Sequence, residues 1–276
     1  MNTPFLAADA ALLGMQASLV ALPGAGVPPW LERFRGRGWA LIPPLSIAVV
    51  VAAVAASPDV ADGLTWLAFL AIPPGAALAL GWATRGARPA FAWLALPLFV
   101  LAWWRTGTLL GDSAAAVLTA LSCVTLGRLL AGVVPTLWLK AGIVAMAIVD
   151  AILVFGNELQ APNAVLNAAV PAPGLPRLQY LELHAASLGY GDVFVAGVLG
   201  GVLAIEGRRQ APVALLVFAL AVAWDLLFFV FDTLPATVPV AVALLVSETA
   251  PRIVRRRRAP QPASPVRPRG GQGART

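Results

Sequence analysis

Apolar stretches about twenty residues long recur along most of this chain, and they constrain its fold more than any other feature. A helix needs about 20 apolar residues to cross the hydrocarbon core of a bilayer. The 276 residues are 59% hydrophobic and 12% charged, whereas soluble domains carry roughly 25% charged residues. A soluble protein of this size could not bury so much apolar surface, and the runs are continuous rather than alternating. The sequence therefore predicts an all-α, polytopic integral membrane protein.

Nine transmembrane helices are predicted from these stretches. They lie at 4–22, 39–57, 64–82, 89–104, 113–134, 137–156, 184–206, 211–231 and 234–250. The first also fits an interfacial segment, because Asp9 and Gln16 lower its apolarity. A cleaved signal peptide fits it less well, since no basic residue precedes the apolar stretch. Residues 251–276 are rich in Pro, Arg and Gly and are predicted to form a disordered basic tail.

The basic residues predict the orientation, because cytoplasmic loops carry an excess of Lys and Arg. With the tail in the cytoplasm, that side receives seventeen basic residues and the outside only two, Arg105 and Arg177. The N-terminus and the loop 157–183 then lie outside. The alanine- and arginine-rich composition is typical of a GC-rich genome, so the membrane is predicted to be a prokaryotic plasma membrane. The net charge of +6 is explained by this asymmetry, so nucleic acid is not expected as a partner. The single Cys123 allows neither an intrachain disulfide nor a metal cluster.

Two aspartates within predicted helices are the strongest functional signal. Asp150 lies in an apolar run, and Asp192 follows Gly189, Tyr190 and Gly191 in the next helix. A charged side chain at the centre of a bilayer helix costs about 2.5–3.5 kcal/mol on insertion scales, so such residues usually mark functional sites. Counted along the predicted helices, both aspartates lie roughly 9–12 Å below the outer face, with Asp192 about eight residues into its helix.

Two facing carboxylates cannot readily both ionise, so we expect them to share a proton. One then acts as a general base on water while the other, protonated, polarises a peptide carbonyl. The resulting tetrahedral diol collapses when a proton reaches the leaving amine. This chemistry requires no metal and no cofactor.

The Gly189–Asp192 motif, with Asp150 one helix earlier, resembles the GxGD intramembrane aspartyl proteases, the presenilin and signal peptide peptidase family. Leu234, Pro235, Ala236 and Thr237 are similar to the Pro-Ala-Leu signature of that family, which shapes the active site and helps to hold the substrate. Thr237 stands where the family has Leu, and Val149 stands where it usually has Tyr. The resemblance covers about residues 145–240.

The resemblance implies a presenilin-like fold, with scaffold helices in 1–135 and catalytic helices in 136–250. It implies Asp150 and Asp192 as catalytic residues, Gly189, Tyr190 and Gly191 as the active-site frame, and 234–237 as substrate-binding. The predicted orientation is that of signal peptide peptidases, which act without obligate partner subunits. The implied substrates are transmembrane helices with a cytoplasmic N-terminus, including remnant signal peptides. A substrate helix hydrogen-bonds its own peptide groups, so the enzyme must unwind it locally. The unwound segment would then pair as an extended strand with a free backbone edge of the enzyme.

Three alternatives remain open. A prepilin-peptidase-like aspartyl protease shares the Gly-Tyr-Gly-Asp pattern, but the residues after Asp150 lack the Leu-Pro-Asp of that family. A proton- or cation-coupled transporter could use Asp150, Asp192 and Asp225 as relay groups. A catalytically inactive binding protein of the same family is the third. For Asp225 alone, a hydrogen-bonding role within the helix bundle is favoured.

Overall fold

The computed structural model describes residues 3–57, 59–156, 160–183, 186–231 and 233–249, and the predicted basic tail 251–276 lies outside this part of the chain. The described residues form α-helices and one antiparallel hairpin. In chain order these are α1 (Thr3–Ala21), α2 (Pro29–Glu32), α3 (Ile42–Ala56), α4 (Asp59–Leu78), α5 (Ala95–Trp104), α6 (Leu109–Val133), α7 (Thr136–Phe155), α8 (Gln160–Ala168), β1 (Tyr180–Leu183), β2 (Ala186–Gly189), α9 (Tyr190–Ile205), α10 (Gln210–Asp225) and α11 (Val238–Thr249).

Several helices are apolar and long enough to cross a bilayer. In the described part of the chain five stretches meet both conditions, namely Gly38–Ala56, Asp59–Ala83, Leu109–Val133, Thr136–Phe155 and Gln210–Phe229. Four shorter apolar helices are Phe5–Ala21, Pro89–Trp104, Tyr190–Ile205 and Val238–Thr249. The prediction of a helical membrane protein is therefore confirmed in its coarse form, with five candidate membrane-spanning helices. The count of nine spans and the presenilin-like fold remain predictions.

Helix α6 lies at the centre of the bundle. Of its apolar window 72% is buried, against 17–33% in the other four long stretches. Its contact with α9 is unusually close, because a Cβ added to Gly127 would lie 2.3 Å from the carbonyl carbon of Gly197. A Cβ on Gly200 or Gly201 would likewise lie 2.6–2.7 Å from main-chain oxygens of α1 and α6. The glycines of α9 thus let three helix backbones approach one another.

The N-terminal helix α1 is an integral part of the bundle. It packs against α9, α10, α6 and both hairpin strands. Leu12 and Gln16 on its inner face are fully buried. Such burial shows α1 as a core helix of this structure, and it argues against the interfacial-segment interpretation of this region.

A β-hairpin replaces the beginning of the predicted helix 184–206. Strands β1 and β2 pair with the register Tyr180↔Gly189 and Leu183↔Ala186, and α9 begins only at Tyr190. Burial alternates along β2: Ala186 and Leu188 are buried, whereas Ser187 and Gly189 are exposed, as expected of a half-buried strand. The predicted start of this helix is therefore wrong by about six residues. The loop predicted at 157–183 also contains α8 and β1.

An ion-pair network joins α7, α9 and α11 at one end. The Lys140 ammonium lies 2.6 Å from a Glu206 carboxylate oxygen and 3.0 Å from one of Glu248. Arg208 pairs with the same two glutamates. The network fixes the start of α7 beside the ends of α9 and α11, so α7 runs antiparallel to both. The opposite end of these three helices carries the two aspartates.

Candidate active site

Asp150 lies in the last third of α7 and is almost fully buried, with 4% of its surface exposed. The Thr237 hydroxyl donates a hydrogen bond of 2.6 Å to Asp150 Oδ2. The main-chain N–H of Thr237 faces the same carboxyl group. The hydroxyl donor orients this carboxyl and offsets part of the cost of burying it.

Asp192 lies in the first turn of α9, rather than eight residues inside a helix as predicted. The main-chain N–H of Gly189 donates to its Oδ2 over 3.2 Å. This is the typical contact of an acidic side chain that caps the start of a helix. The first N–H groups of a helix have no partner inside the helix and favour a nearby negative charge. The half-buried Asp192 carboxyl therefore lies where the helix itself can stabilise an anion.

The structure brings the two aspartates together. The Asp192 carboxyl lies close enough to Asp150 for their charges to interact. Helices α7 and α9 pack directly against each other, and a Cβ on Gly191 would lie 3.1 Å from the terminal methyl of Met146. Met146 is one turn before Asp150, so Gly191 permits the close approach at the level of the carboxyl groups. The structure thus places the two aspartates on adjacent antiparallel helices, at the same end of both.

The residues between Gly189 and Asp192 each have a distinct contact. Gly189 ends β2 and supplies the capping N–H. The Tyr190 hydroxyl lies 3.2 Å from Ser122 Oγ and anchors the start of α9 to the central helix α6. Gly191 lies against α7. The Gly-Tyr-Gly segment thus sets where α9 begins and how closely it approaches its neighbours.

The segment 234–237 precedes α11 instead of opening the last helix as predicted. Pro235 and Thr237 are buried, whereas Leu234 and Ala236 are half-buried. Thr237, which departs from the Leu of the family signature, is the residue that holds the Asp150 carboxyl. The segment therefore contacts the predicted site through its polar residue.

Gln16 of α1 was not predicted as a site residue. Its Nε2 donates to the main-chain oxygen of Asp192 at 3.0 Å and to that of Ala236 at 3.1 Å. The sequence signal is that a polar amide interrupts an apolar helix, which lowers the apolarity of the helix but does not by itself indicate a site. The side chain is fully buried, and it connects the start of α9 with the segment before α11.

Asp225, proposed above as a hydrogen-bonding group, pairs with another carboxyl group. It ends α10, and its carboxyl lies close enough to that of Asp9 in α1 for the two groups to interact. The contact joins α1 to α10, and its residues are distinct from those that contact Asp150 and Asp192.

Within the described residues, there is no group of three or more His, Cys, Asp or Glu side chains that could hold a metal ion. Compared with protein-family models, curated proteins and solved structures, the chain matches none of them.

Proposed function

We propose that the chain is an intramembrane aspartyl protease that hydrolyses peptide bonds within transmembrane helices. The observation that carries the proposal is the meeting of Asp150 and Asp192 on adjacent apolar helices, where their charges interact. Each carboxyl has at least one fixed hydrogen-bond donor, from Thr237 in one case and Gly189 in the other. Two oriented carboxyl groups at one place are what general acid–base hydrolysis of a peptide bond requires.

The reaction follows from one shared proton. The ionised carboxylate removes a proton from water, and the hydroxide formed attacks the peptide carbonyl carbon. The protonated carboxyl donates its hydrogen to the carbonyl oxygen, which gives a neutral diol. Collapse of the diol breaks the C–N bond and delivers the proton taken from water to the leaving amine. One O–H proton of the diol returns to the carboxylate that had donated its hydrogen. The new carboxyl group keeps the water oxygen, and the pair returns to its singly protonated form.

The hairpin supports a strand-like mode of substrate binding. An intact helix shields its peptide bonds with its own hydrogen bonds, so a segment must unwind before water can reach the carbonyl. Strand β2 ends at Gly189, three residues before Asp192. An extended peptide added along the hairpin would have its unpaired N–H and C=O groups satisfied beside the carboxyl pair. The substrates proposed are transmembrane helices or remnant signal peptides with a cytoplasmic N-terminus, cleaved without obligate partner subunits.

The test is cleavage of a reporter transmembrane helix by the purified protein in liposomes. Asp150→Asn and Asp192→Asn keep the side-chain size and remove the ionisable group, so each is expected to abolish cleavage. Asp225→Asn is the matched control, because it changes a third intramembrane carboxyl that pairs with Asp9. Mass spectrometry of the products locates the cut bond within the apolar segment.

The controls separate protease from transporter. Loss of cleavage in both site variants and its retention in Asp225→Asn support the proposal. Cleavage that survives either Asp150→Asn or Asp192→Asn excludes the carboxyl pair as the catalyst. If the wild type leaves several reporters intact but moves protons or cations across the liposome membrane, the transporter interpretation replaces the protease.

A further inference from the structure

Gln16 connects the two halves of the candidate active site. One hydrogen of its amide is donated to the main-chain oxygen of Asp192, and the other to that of Ala236. Both partners are carbonyl oxygens, which only accept hydrogen bonds, so the amide nitrogen must face them. The side chain has no exposed surface, and water therefore does not compete for these bonds.

The two bonds extend to both carboxyl groups. On one side, Gln16 holds the main chain of Asp192 itself. On the other, it holds Ala236, and the next residue, Thr237, donates to Asp150 Oδ2 at 2.6 Å. The interaction of Asp150 with Asp192 then closes a ring of contacts that runs through α1, α9, α7 and the segment before α11. A displacement of α1 would consequently move both carboxyl groups relative to each other.

A second buried glutamine, Gln210, provides a comparison, because its amide lies outside the candidate active site. Gln210 Nε2 donates to the main-chain oxygens of Pro23 at 3.0 Å and Gly200 at 2.7 Å, and its Oε1 accepts from Arg85. Both ends of that amide are used. Gln16 Oε1 is buried and has no partner among the described residues. Gln16 therefore makes its side-chain hydrogen bonds through the amide nitrogen, to the two main-chain oxygens at the site.

We propose that Gln16 is a positioning residue of the active site, which fixes Asp192 and the Thr237–Asp150 pair at their working separation. The inference rests on the proposed protease function. Catalysis between two groups depends strongly on their distance, and a displacement of about 1 Å can cost roughly 100-fold in rate. Substrate binding along the hairpin does not use the Gln16 amide nitrogen. Loss of Gln16 therefore lowers kcat and leaves KM nearly unchanged.

The first arm of the test compares Gln16→Met with Gln210→Met, using the full chain and the reporter helix. Methionine matches glutamine in length but offers no amide, so each variant loses two hydrogen bonds to main-chain oxygens. Gln16→Met is expected to lower kcat by about 10- to 100-fold with KM within about threefold of wild type, whereas Gln210→Met keeps its kcat. Gln16→Asn keeps an amide that is too short to reach both carbonyls, and it provides the second variant if methionine prevents folding. Equal kcat values for the Gln16 and Gln210 variants overturn the inference.

The second arm does not require cleavage. Amide hydrogen exchange is measured for peptides covering 190–193 and 234–241. Faster exchange in both peptides for Gln16→Met than for Gln210→Met supports a role in positioning. Unchanged exchange overturns it. If the wild type cuts no reporter, the proposed function fails, and this arm still decides whether Gln16 holds the two segments together.

Discussion

Thr237 provides the sharpest test of the proposed site. Valine has nearly the same shape as threonine, so Thr237→Val removes the donor to Asp150 Oδ2 while keeping the packing. The main-chain N–H of residue 237 still faces the carboxyl group, so the variant tests the hydroxyl alone.

The magnitude follows from the burial of both partners. Thr237 has no exposed surface and Asp150 has 4%, so water cannot replace the lost hydroxyl. A hydrogen bond to a charged group contributes about 1.5–3 kcal/mol, and each 1.36 kcal/mol corresponds to a factor of ten in rate. If this bond acts fully in the transition state, kcat falls by about 10- to 100-fold.

The assay is steady-state cleavage of the reporter helix in liposomes. Thr237→Ser restores the hydroxyl and is expected to recover most of the activity. Thr125→Val is the matched control, because it removes a buried hydroxyl that donates to the Gly75 oxygen at 2.7 Å in another part of the bundle. Activity within about twofold of wild type in Thr237→Val, or an equal loss in Thr125→Val, would refute the role assigned to Thr237.

Three further predictions concern the scaffold and the orientation. Gly197→Ala is expected to destabilise the protein by about 3 kcal/mol or more, because the added Cβ would lie 2.6 Å from a main-chain oxygen of α6. Thermal unfolding in detergent measures the effect, and Gly63→Ala is the control, because nothing lies within 4 Å of a Cβ added there. Lys140→Met is expected to lower the unfolding free energy by about 0.5–1 kcal/mol and to reduce its salt dependence, since the ion pairs are partly exposed, with kcat unchanged. A cysteine at exposed Pro173 should react with an impermeant maleimide from outside intact cells, whereas one at exposed Ala90 should react only after lysis; the reverse pattern would overturn the predicted orientation.

The placement of Asp150 and Asp192 on neighbouring antiparallel helices could be predicted because it depends on the order of the apolar runs along the chain. Each aspartate interrupts an apolar run, and two consecutive helices joined across the same face must run antiparallel. Residues at similar distances from the same membrane face then lie at the same level, whatever the structure of the loop that joins the two helices. The close backbone contacts of Gly197, Gly200 and Gly201 agree with a general tendency, since small residues favour close helix packing.

The start of α9 could not be predicted in this way. The run from Ala185 to Ile205 is apolar apart from Ser187 and Asp192, and apolar composition alone cannot distinguish a buried strand from the first turns of a buried helix. The choice depends on β1, which precedes β2 and provides its hydrogen-bond partners. A local signal was nevertheless present, because an acidic residue three positions after Gly189 is typical of a helix start.

The contacts of Gln16 and Thr237 could not be predicted because they join residues far apart in the chain. Gln16 is separated from Asp192 by 176 residues and from Ala236 by 220. The sequence shows only that each is a polar residue in an apolar segment. Their partners are fixed by how α1 and α11 pack around α7 and α9, which no periodicity encodes.

These long-range bonds change how the chain divides into functional parts. The prediction assigned 1–135 to a scaffold and 136–250 to catalysis, on the basis of the resemblance alone. In the structure, α1 carries Gln16 to the carboxyl pair, and the central α6 holds Tyr190 through Ser122. A fragment limited to the last helices would lack both anchors and would expose the glycine face of α9. The carboxyl groups come from the C-terminal half, but their alignment depends on the N-terminal half.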